Sequence, residues 1–177
     1  MTEHAGTPLT IHAVTPQLQH RVEVKSEAFG EGQAIPPEYA RDGDDVSPAL
    51  SWEAVDEVNF WTLICEDPDA PRDKPWIHWM IWNIPGKRTN LPRGLEKVAH
   101  LEAVGQATQG KNDYGDIGWG GPQPPAGHGV HHYHFQVFGT SERLPFKPDA
   151  DLQEVLQALE GLTLASGELI GTYEIPE

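Results

Sequence analysis

The chain has 177 residues, 12 of them basic and 27 acidic, so it is long enough for a domain with a substantial core and carries a formal net charge of −15. This acidic balance argues against nucleic acid as a partner and against electrostatic attachment to an anionic membrane, because both require clustered Lys and Arg. No apolar run approaches the ~20 residues of a membrane span and no signal-peptide pattern is present, so we expect a cytoplasmic protein without a membrane span.

The 18 Gly and 16 Pro residues are spread between short apolar runs, which predicts a mainly β protein of short strands and turns. Residues 1–20 are polar and are expected to be partly mobile. Because alternating strand and helix units are missing, two packed antiparallel sheets in a single domain, 1–177, are favoured over a doubly wound fold. Strands are predicted at 18–24, 28–29, 59–66, 76–84 and 130–140.

The strand at 76–84 is apolar on both faces and is therefore expected to be central in its sheet, with His78 buried or at the floor of a pocket. Strict alternation places His78 on the same face as Met80 and Trp82. The single cysteine, Cys65, lies in a neighbouring apolar run, which predicts a buried side chain rather than a reactive thiol.

The same alternation divides the histidines of the strand at 130–140. His131 and Tyr133 fall on the face that continues into the core, whereas His132, His134 and Gln136 fall on an outer, wetter face.

One helix is predicted near the C-terminus. It begins at the acidic segment 148–151, continues through an apolar stripe with helical spacing, and is expected to stop at Gly161. A final strand is predicted at 162–175, with bulges at Gly167 and Gly171.

Two loops rich in Pro and Gly, at 67–71 and 120–129, each precede a strand that carries a histidine. Pro fixes φ and Gly admits positive φ, so such loops can hold backbone N–H groups toward a bound group. Imidazole and phenol can also donate hydrogen bonds to an anion. The sequence therefore predicts a preformed pocket for a small anion, with His78, His131 and Tyr133 as donors and Trp76 as a wall.

Asp67 has two interpretations. It can orient a pocket histidine and favour its charged form. Anion binding would then weaken as the pH rises and that histidine loses its charge. Alternatively, it only bonds local backbone amides in a turn.

Three classes of function stay open. The first is a non-enzymatic module that binds a small anion or a phosphorylated group, and the second is an inhibitor that engages a protein partner independently of any ligand. The third is a metal-dependent enzyme, since imidazoles two residues apart on one strand can chelate a metal. That enzyme would use His128, His131, His132 and His134, but strand alternation divides these four histidines between two faces. Neither a P-loop ending nor a Gly-x-Ser-x-Gly motif is present, which argues against nucleotide hydrolysis and serine-hydrolase chemistry. The non-enzymatic module is favoured, for which we expect no catalytic residue, no cofactor and no metal.

At these residues the chain resembles the phosphatidylethanolamine-binding protein family, in its bacterial and archaeal branch, whose eukaryotic relatives are the Raf kinase inhibitor proteins. The resemblance covers nearly the whole chain. It is carried by Asp-Pro-Asp-Ala-Pro at 67–71, Trp-Ile-His-Trp at 76–79, Gly-Gly-Pro at 120–122 and His-His-Tyr at 131–133, with further matching segments at 47–52, 112–115 and 168–173.

The resemblance implies an antiparallel β-sandwich with a small anion-binding cavity for phosphate, acetate or a phospholipid head group. It also implies a homodimer and, as in some members, inhibition of a kinase or a protease. Two positions depart from the family pattern: His132 stands where members usually carry Arg, and Gln123 where bacterial members often carry Cys. The positions that match the family site are Asp67, Trp76, His78, Gly121, Pro124, Pro125, His131 and Tyr133.

Overall fold

The computed structural model describes residues 8–14 and 20–177. None of the helices in these two ranges is long and apolar enough to cross a membrane. Two short 3₁₀ turns occur at Pro37–Tyr39 and Glu102–Val104. The strands are β1 (His20–Arg21), β2 (Leu50–Ser51), β3 (Phe60–Asp67), β4 (Trp76–Pro85), β5 (Asn90–Leu91), β6 (His100–Leu101), β7 (Ala107–Gln109), β8 (His131–Thr140) and β9 (Thr163–Tyr173), and the α-helices are α1 (Thr10–Ala13) and α2 (Leu152–Leu162).

Seven strands form one sheet in the order β1-β9-β8-β3-β4-β7-β6, and β2 pairs with β5 in a separate two-stranded sheet. The long strand β3 lies between β4 and β8 and is antiparallel to both. The C-terminal end of β3 therefore lies beside the N-terminal ends of β4 and β8. The mainly β prediction is confirmed, although the larger sheet is mixed, because β1 pairs with β9 in parallel.

Both faces of the large sheet are covered by apolar residues, as expected for a sheet whose central strands are apolar on both sides. The larger core joins Leu63, Cys65 and Phe135 to buried residues of β2, β5 and the preceding loops. The smaller core joins Ile64 and Phe138 to the two helices.

The prediction for β4 needs a correction. Cys65 pairs with Trp79 whereas Glu66 pairs with Ile77, so His78 is an extra residue in a β-bulge. A bulge re-aims the side chains beside it, and strict alternation fails there. Ile77 consequently belongs to the smaller core, together with Met80 and Trp82, while His78 packs on the side of the larger core.

The early segments also differ from expectation. The strand predicted at 18–24 is reduced to His20–Arg21, with residues 18 and 19 outside the described ranges. Residues 28–29 form no strand, and Phe29 packs into the larger core from a loop. Of the segment 1–20 that was expected to be mobile, residues 1–7 and 15–19 lie outside the described ranges. Within the remainder, Thr10–Ala13 form α1, whose Ile11 is buried in the smaller core, and His20 begins β1.

Helix α2 begins where predicted. The side chain of Asp151 accepts the N–H of Glu154 at 2.9 Å, and the Glu154 side chain accepts the N–H of Asp151 in return at 2.9 Å, which forms a capping box. The stop predicted at Gly161 is wrong, because the helix includes this residue and passes directly into β9 through an extended Thr163.

The bulges predicted at Gly167 and Gly171 are also wrong, since the irregularity in β9 falls opposite Gly139 and Thr140. The two glycines instead allow close packing. A Cβ atom at position 167 would lie 2.0 Å from the carbonyl oxygen of Val22, and one at 171 would lie 2.7 Å from Phe29.

Candidate anion-binding site

A cavity of about 270 Å³ opens at one end of the central strands, where β3 ends and β4 and β8 begin. This volume is at the small end for ligand pockets and suits a head group rather than a whole lipid. Seven of the eight predicted site residues line it, and Gly121 does not. The lining consists of Asp67, Ala70, Pro71, Trp76, His78, Tyr114, Gln123, Pro124, Pro125, His131 and Tyr133.

Asp67 and His131 form a buried pair in the wall of the cavity. Oδ2 of Asp67 lies 2.7 Å from Nδ1 of His131, and the two side chains are 4% and 2% exposed. The other oxygen, Oδ1, accepts the backbone N–H of Asp69 at 2.7 Å. Asp67 therefore serves both the turn and the histidine, and the two interpretations of its role are compatible.

His78 is held in a defined tautomer by the backbone. Its Nδ1 lies 2.6 Å from the carbonyl oxygen of Gly120, so Nδ1 carries the hydrogen and donates it. Burial lowers the pKa of His78 below its ordinary value, which favours the neutral ring. In that form Nε2 is an acceptor, so His78 offers the cavity a lone pair rather than the N–H that the sequence predicted.

Aromatic rings form the rest of the wall. The Tyr133 ring meets His78 edge-on at 5.0 Å, and Trp76 meets Tyr114 in the same manner at 5.3 Å. Burial raises the pKa of Tyr133 far above its ordinary value, so its hydroxyl stays protonated and remains a donor. The indole N–H of Trp76 is buried and has no acceptor among the described residues.

Gly121 supports the loop instead of lining the cavity. Its N–H donates to Asp45 at 2.7 Å, and its carbonyl oxygen accepts the hydroxyl of Tyr114 at 2.9 Å. A Cβ atom at this position would lie 2.1 Å from the carbonyl oxygen of Tyr39. Gly is therefore needed for a close approach of two backbones.

Sequence reasoning missed four lining residues, of which Tyr114 and Gln123 are polar. Tyr114 stands on a turn in which its N–H is accepted by the side chain of Asn112 at 2.9 Å, and this turn lies in a segment that matched the family. Burial raises the pKa of Tyr114 to about 12. Gln123 donates to Asp42 at 2.9 Å, a contact between distant loops that no local pattern reveals.

Two guanidinium groups stack on the aromatic wall. The Cζ of Arg41 lies 3.8 Å from the centre of the Tyr114 ring, and that of Arg72 lies 4.5 Å from the centre of the Trp76 ring. Each also has an acidic partner: Asp116 lies 3.6 Å from Arg41, and Asp113 bonds Arg72. Both cations beside the cavity are therefore paired with carboxylates.

The four histidines suggested as metal ligands are divided among different partners. His132 pairs with Asp69 at 2.7 Å, His134 pairs with Glu168 at 3.2 Å, and His131 lies between Asp67 and His128. Within residues 8–14 and 20–177, no group of three or more His, Cys, Asp or Glu side chains is placed to hold a metal ion. The geometry therefore gives the metal-enzyme hypothesis no support.

The fold and the cavity together define a class of β protein with a small polar site at the end of its central strands. The model of the family described as "Phosphatidylethanolamine-binding protein" matches residues 25–174. The chain belongs to this family.

Relatives in both archaea and bacteria support the assignment. The chain is 43% identical to a UPF0098 protein of Pyrococcus horikoshii over 150 residues, covering 84% of this chain and 75% of the relative. It is 40% identical to a UPF0098 protein of Methanothermobacter thermautotrophicus over 153 residues, covering 86% and 98%.

Solved structures agree with the fold. YbcL of Escherichia coli, described as a member of the mammalian PEBP family, superposes with a TM-score of 0.81 at 29% identity, covering 87% of this chain and 98% of YbcL. A PEBP homologue from Chlamydia trachomatis superposes with a TM-score of 0.77 at 33% identity, covering 88% and 98%.

Proposed function

We propose that this chain binds a small anion, such as phosphate or a phosphorylated head group, in the cavity at the end of the central strands of the large sheet. The observation that carries the proposal is the buried Asp67–His131 pair in the cavity wall. A carboxylate beside an imidazole favours the charged ring, and a charged ring donates a strong hydrogen bond to an anion.

The other lining groups complete a site of mixed polarity. Tyr133 supplies a hydroxyl donor, and the neutral His78 supplies an acceptor for a ligand that carries its own O–H group. Pro124 and Pro125 give the loop a fixed shape, which limits the ordering cost of binding. Hydrogen phosphate, or a phosphate monoester in its singly protonated form, has both the charge and the hydroxyl that this set of groups requires.

Because His131 must donate while it already bonds Asp67, the bound state needs a doubly protonated ring. We therefore expect affinity to fall as the pH rises and the ring gives up its second hydrogen. Sulfate does not titrate in this range, so its affinity measured over the same pH values separates this effect from the titration of the phosphate itself.

The test is a titration with O-phosphoethanolamine followed by the imidazole NMR signals. We expect saturable shifts of the two cavity histidines, His78 and His131, and of His128, which contacts His131. His131→Ala should lose about 1.5–3 kcal/mol of binding free energy, because a charged donor is removed. His100→Ala is the matched control, since His100 is exposed and lines a different surface cavity. Absence of shifts at millimolar ligand would refute the proposal.

The cytoplasmic location, the single-domain organisation, the homodimer and the inhibition of a kinase or protease stay predictions. Light scattering tests the dimer, and co-purification of a stable protein partner tests the inhibitor.

A further inference from the structure

Both ring nitrogens of His131 have protein partners. Nδ1 faces Asp67 at 2.7 Å, and Nε2 lies 2.6 Å from Nδ1 of His128, with the two rings 4.9 Å apart and inclined by 56°. One hydrogen lies between the two imidazoles, because a distance of 2.6 Å leaves no room for two. The site that an anion needs on His131 is therefore already taken.

His128 is held there by an exposed loop. Gly127 and Gly129 on either side have φ of +71° and +87°, and the N–H of His128 donates to Pro125 at 3.1 Å. His128 itself is exposed, so moving its ring into solvent sacrifices little buried surface. The contact with His131 is the only hydrogen bond of the His128 ring within the described part of the chain.

We propose that His128 is an internal occupant of the anion position on His131 and must leave this position before an anion binds. The inference rests on the proposed function, since it concerns the same cavity. In this role His128 affects the affinity of the site by competing with the anion for Nε2 of His131, whereas Asp67 affects it by orienting the His131 ring.

The number of hydrogens on the rings of His128 and His131 determines whether His128 competes with an anion. With both rings neutral, His131 donates from Nδ1 to Asp67 and accepts at Nε2 from Nδ1–H of His128. One added proton goes to Nε2 of His128 and leaves the contact intact. A second adds a hydrogen to Nε2 of His131, so that two N–H groups face each other and the rings separate.

Other titratable groups surround the pair. His78 of β4 and Asp67 at the end of β3 interact electrostatically with each other, and His78 also interacts with His131. Tyr173 of β9 lies opposite His131 in the strand register, and Glu177 lies against Gly127. The carboxylates of Asp67 and Glu177 favour the first proton on the pair, while His78 opposes further charge.

It follows that His128 competes for as long as one of the two facing nitrogens lacks a hydrogen. A bound anion must then replace the hydrogen bond between the rings, worth about 1 kcal/mol, or about five-fold in affinity. Once both facing nitrogens carry a hydrogen, the contact is broken and the released His128 adds a positive charge near the anion.

The experiment compares the wild type with His128→Ala, titrating each with inorganic phosphate by calorimetry at about pH 7.5 and at lower pH values. At about pH 7.5 we expect His128→Ala to bind phosphate about five-fold more tightly than the wild type, and we expect this advantage to disappear or reverse once both facing nitrogens carry a hydrogen. Comparing two proteins at one pH cancels the titration of phosphate. His100→Ala again serves as the control and should match the wild type.

Equal or weaker binding by His128→Ala at about pH 7.5 would overturn the role of His128 while leaving the proposed function intact. No binding by either protein would refute the proposed function and the competition together. A second measurement concerns the wild type alone: the nitrogen signals of the hydrogen-bonded ring pair should be present without ligand and should be lost on adding phosphate. Persistence of the pair at saturating phosphate would contradict the inference even if affinities differed.

Discussion

Thr10 donates both its backbone N–H and its hydroxyl to Oε1 of Glu66, a residue 56 positions further along the chain. Gln136 donates to the same oxygen at 3.1 Å and accepts the N–H of Ile11 at 2.8 Å. Oε2 of Glu66 is buried and has no partner among the described residues. A buried carboxyl group thus fixes the short helix α1 against the face of the sheet that carries the smaller core.

The first prediction concerns Glu66→Gln. Burial raises the pKa of Glu66, so the folded protein keeps this proton at pH values where the unfolded chain, with a pKa near ~4.3, has lost it. The free energy of unfolding therefore falls as the pH rises from about 4.3 through the raised pKa. Gln stays neutral, so the variant should lose less stability between about pH 4 and about pH 8 than the wild type. Urea denaturation at the two pH values measures this difference.

Other carboxyl groups titrate in both proteins, so only the difference between the two stability changes is informative. Glu53→Gln provides the control because Glu53 is exposed, and it should reproduce the wild-type dependence. The same pH dependence in Glu66→Gln as in the wild type would show that folding does not raise the pKa of Glu66.

The second prediction concerns Gly121→Ala. The new Cβ atom would lie 2.1 Å from the carbonyl oxygen of Tyr39, and this neighbour is backbone that cannot move freely. We expect a loss of about 1–3 kcal/mol in the free energy of unfolding. Gly161→Ala is the counterpart, because its Cβ atom would meet nothing within 4 Å and α2 should gain up to about 1 kcal/mol from helix propensity. Equal effects of the two substitutions in urea denaturation would contradict the packing argument.

The third prediction concerns the choice between phosphate and sulfate. Since Nδ1–H of His78 is committed to Gly120, the neutral ring can only accept at Nε2. Hydrogen phosphate has an O–H group to donate and sulfate has none, so phosphate should bind about five-fold more tightly near neutral pH. Calorimetric titrations of the wild type with each anion check this, and sulfate binding as tightly as phosphate would rule out the acceptor role.

The fourth prediction concerns Asp67→Asn. If Asp67 keeps His131 charged and oriented, its loss should weaken phosphate binding by about 1.5–3 kcal/mol. If it acts mainly as a negative charge that repels the anion, binding should strengthen. Asp69→Asn is the matched control: Asp69 pairs with His132 instead of His131, so it removes a neighbouring charge and leaves the Asp67–His131 contact in place. Stronger phosphate binding by Asp67→Asn than by Asp69→Asn would reject the orienting role.

Local patterns predicted much of this molecule. The four long strands and the start of α2 follow from apolar runs and a capping residue. Seven of the eight proposed site residues line one cavity because their loops flank neighbouring strands. Patterns within one strand could not reveal the bulge at His78, which is a mismatch between two strands. Nor could they show that Gln136 is buried, because the helix that covers it comes from the other end of the chain.

The bulge at His78 also bears on how the site can vary. His78, Asp67 and His131 belong to the three central strands, whose pairing holds them on several sides, so altering their positions would disturb both cores at once. His128 and Gln123 instead come from an exposed stretch that contributes little to either core. Substitutions there can retune the affinity and the pH response of the cavity at small cost in stability, so ligand preference can diverge between relatives while the underlying sheet stays the same.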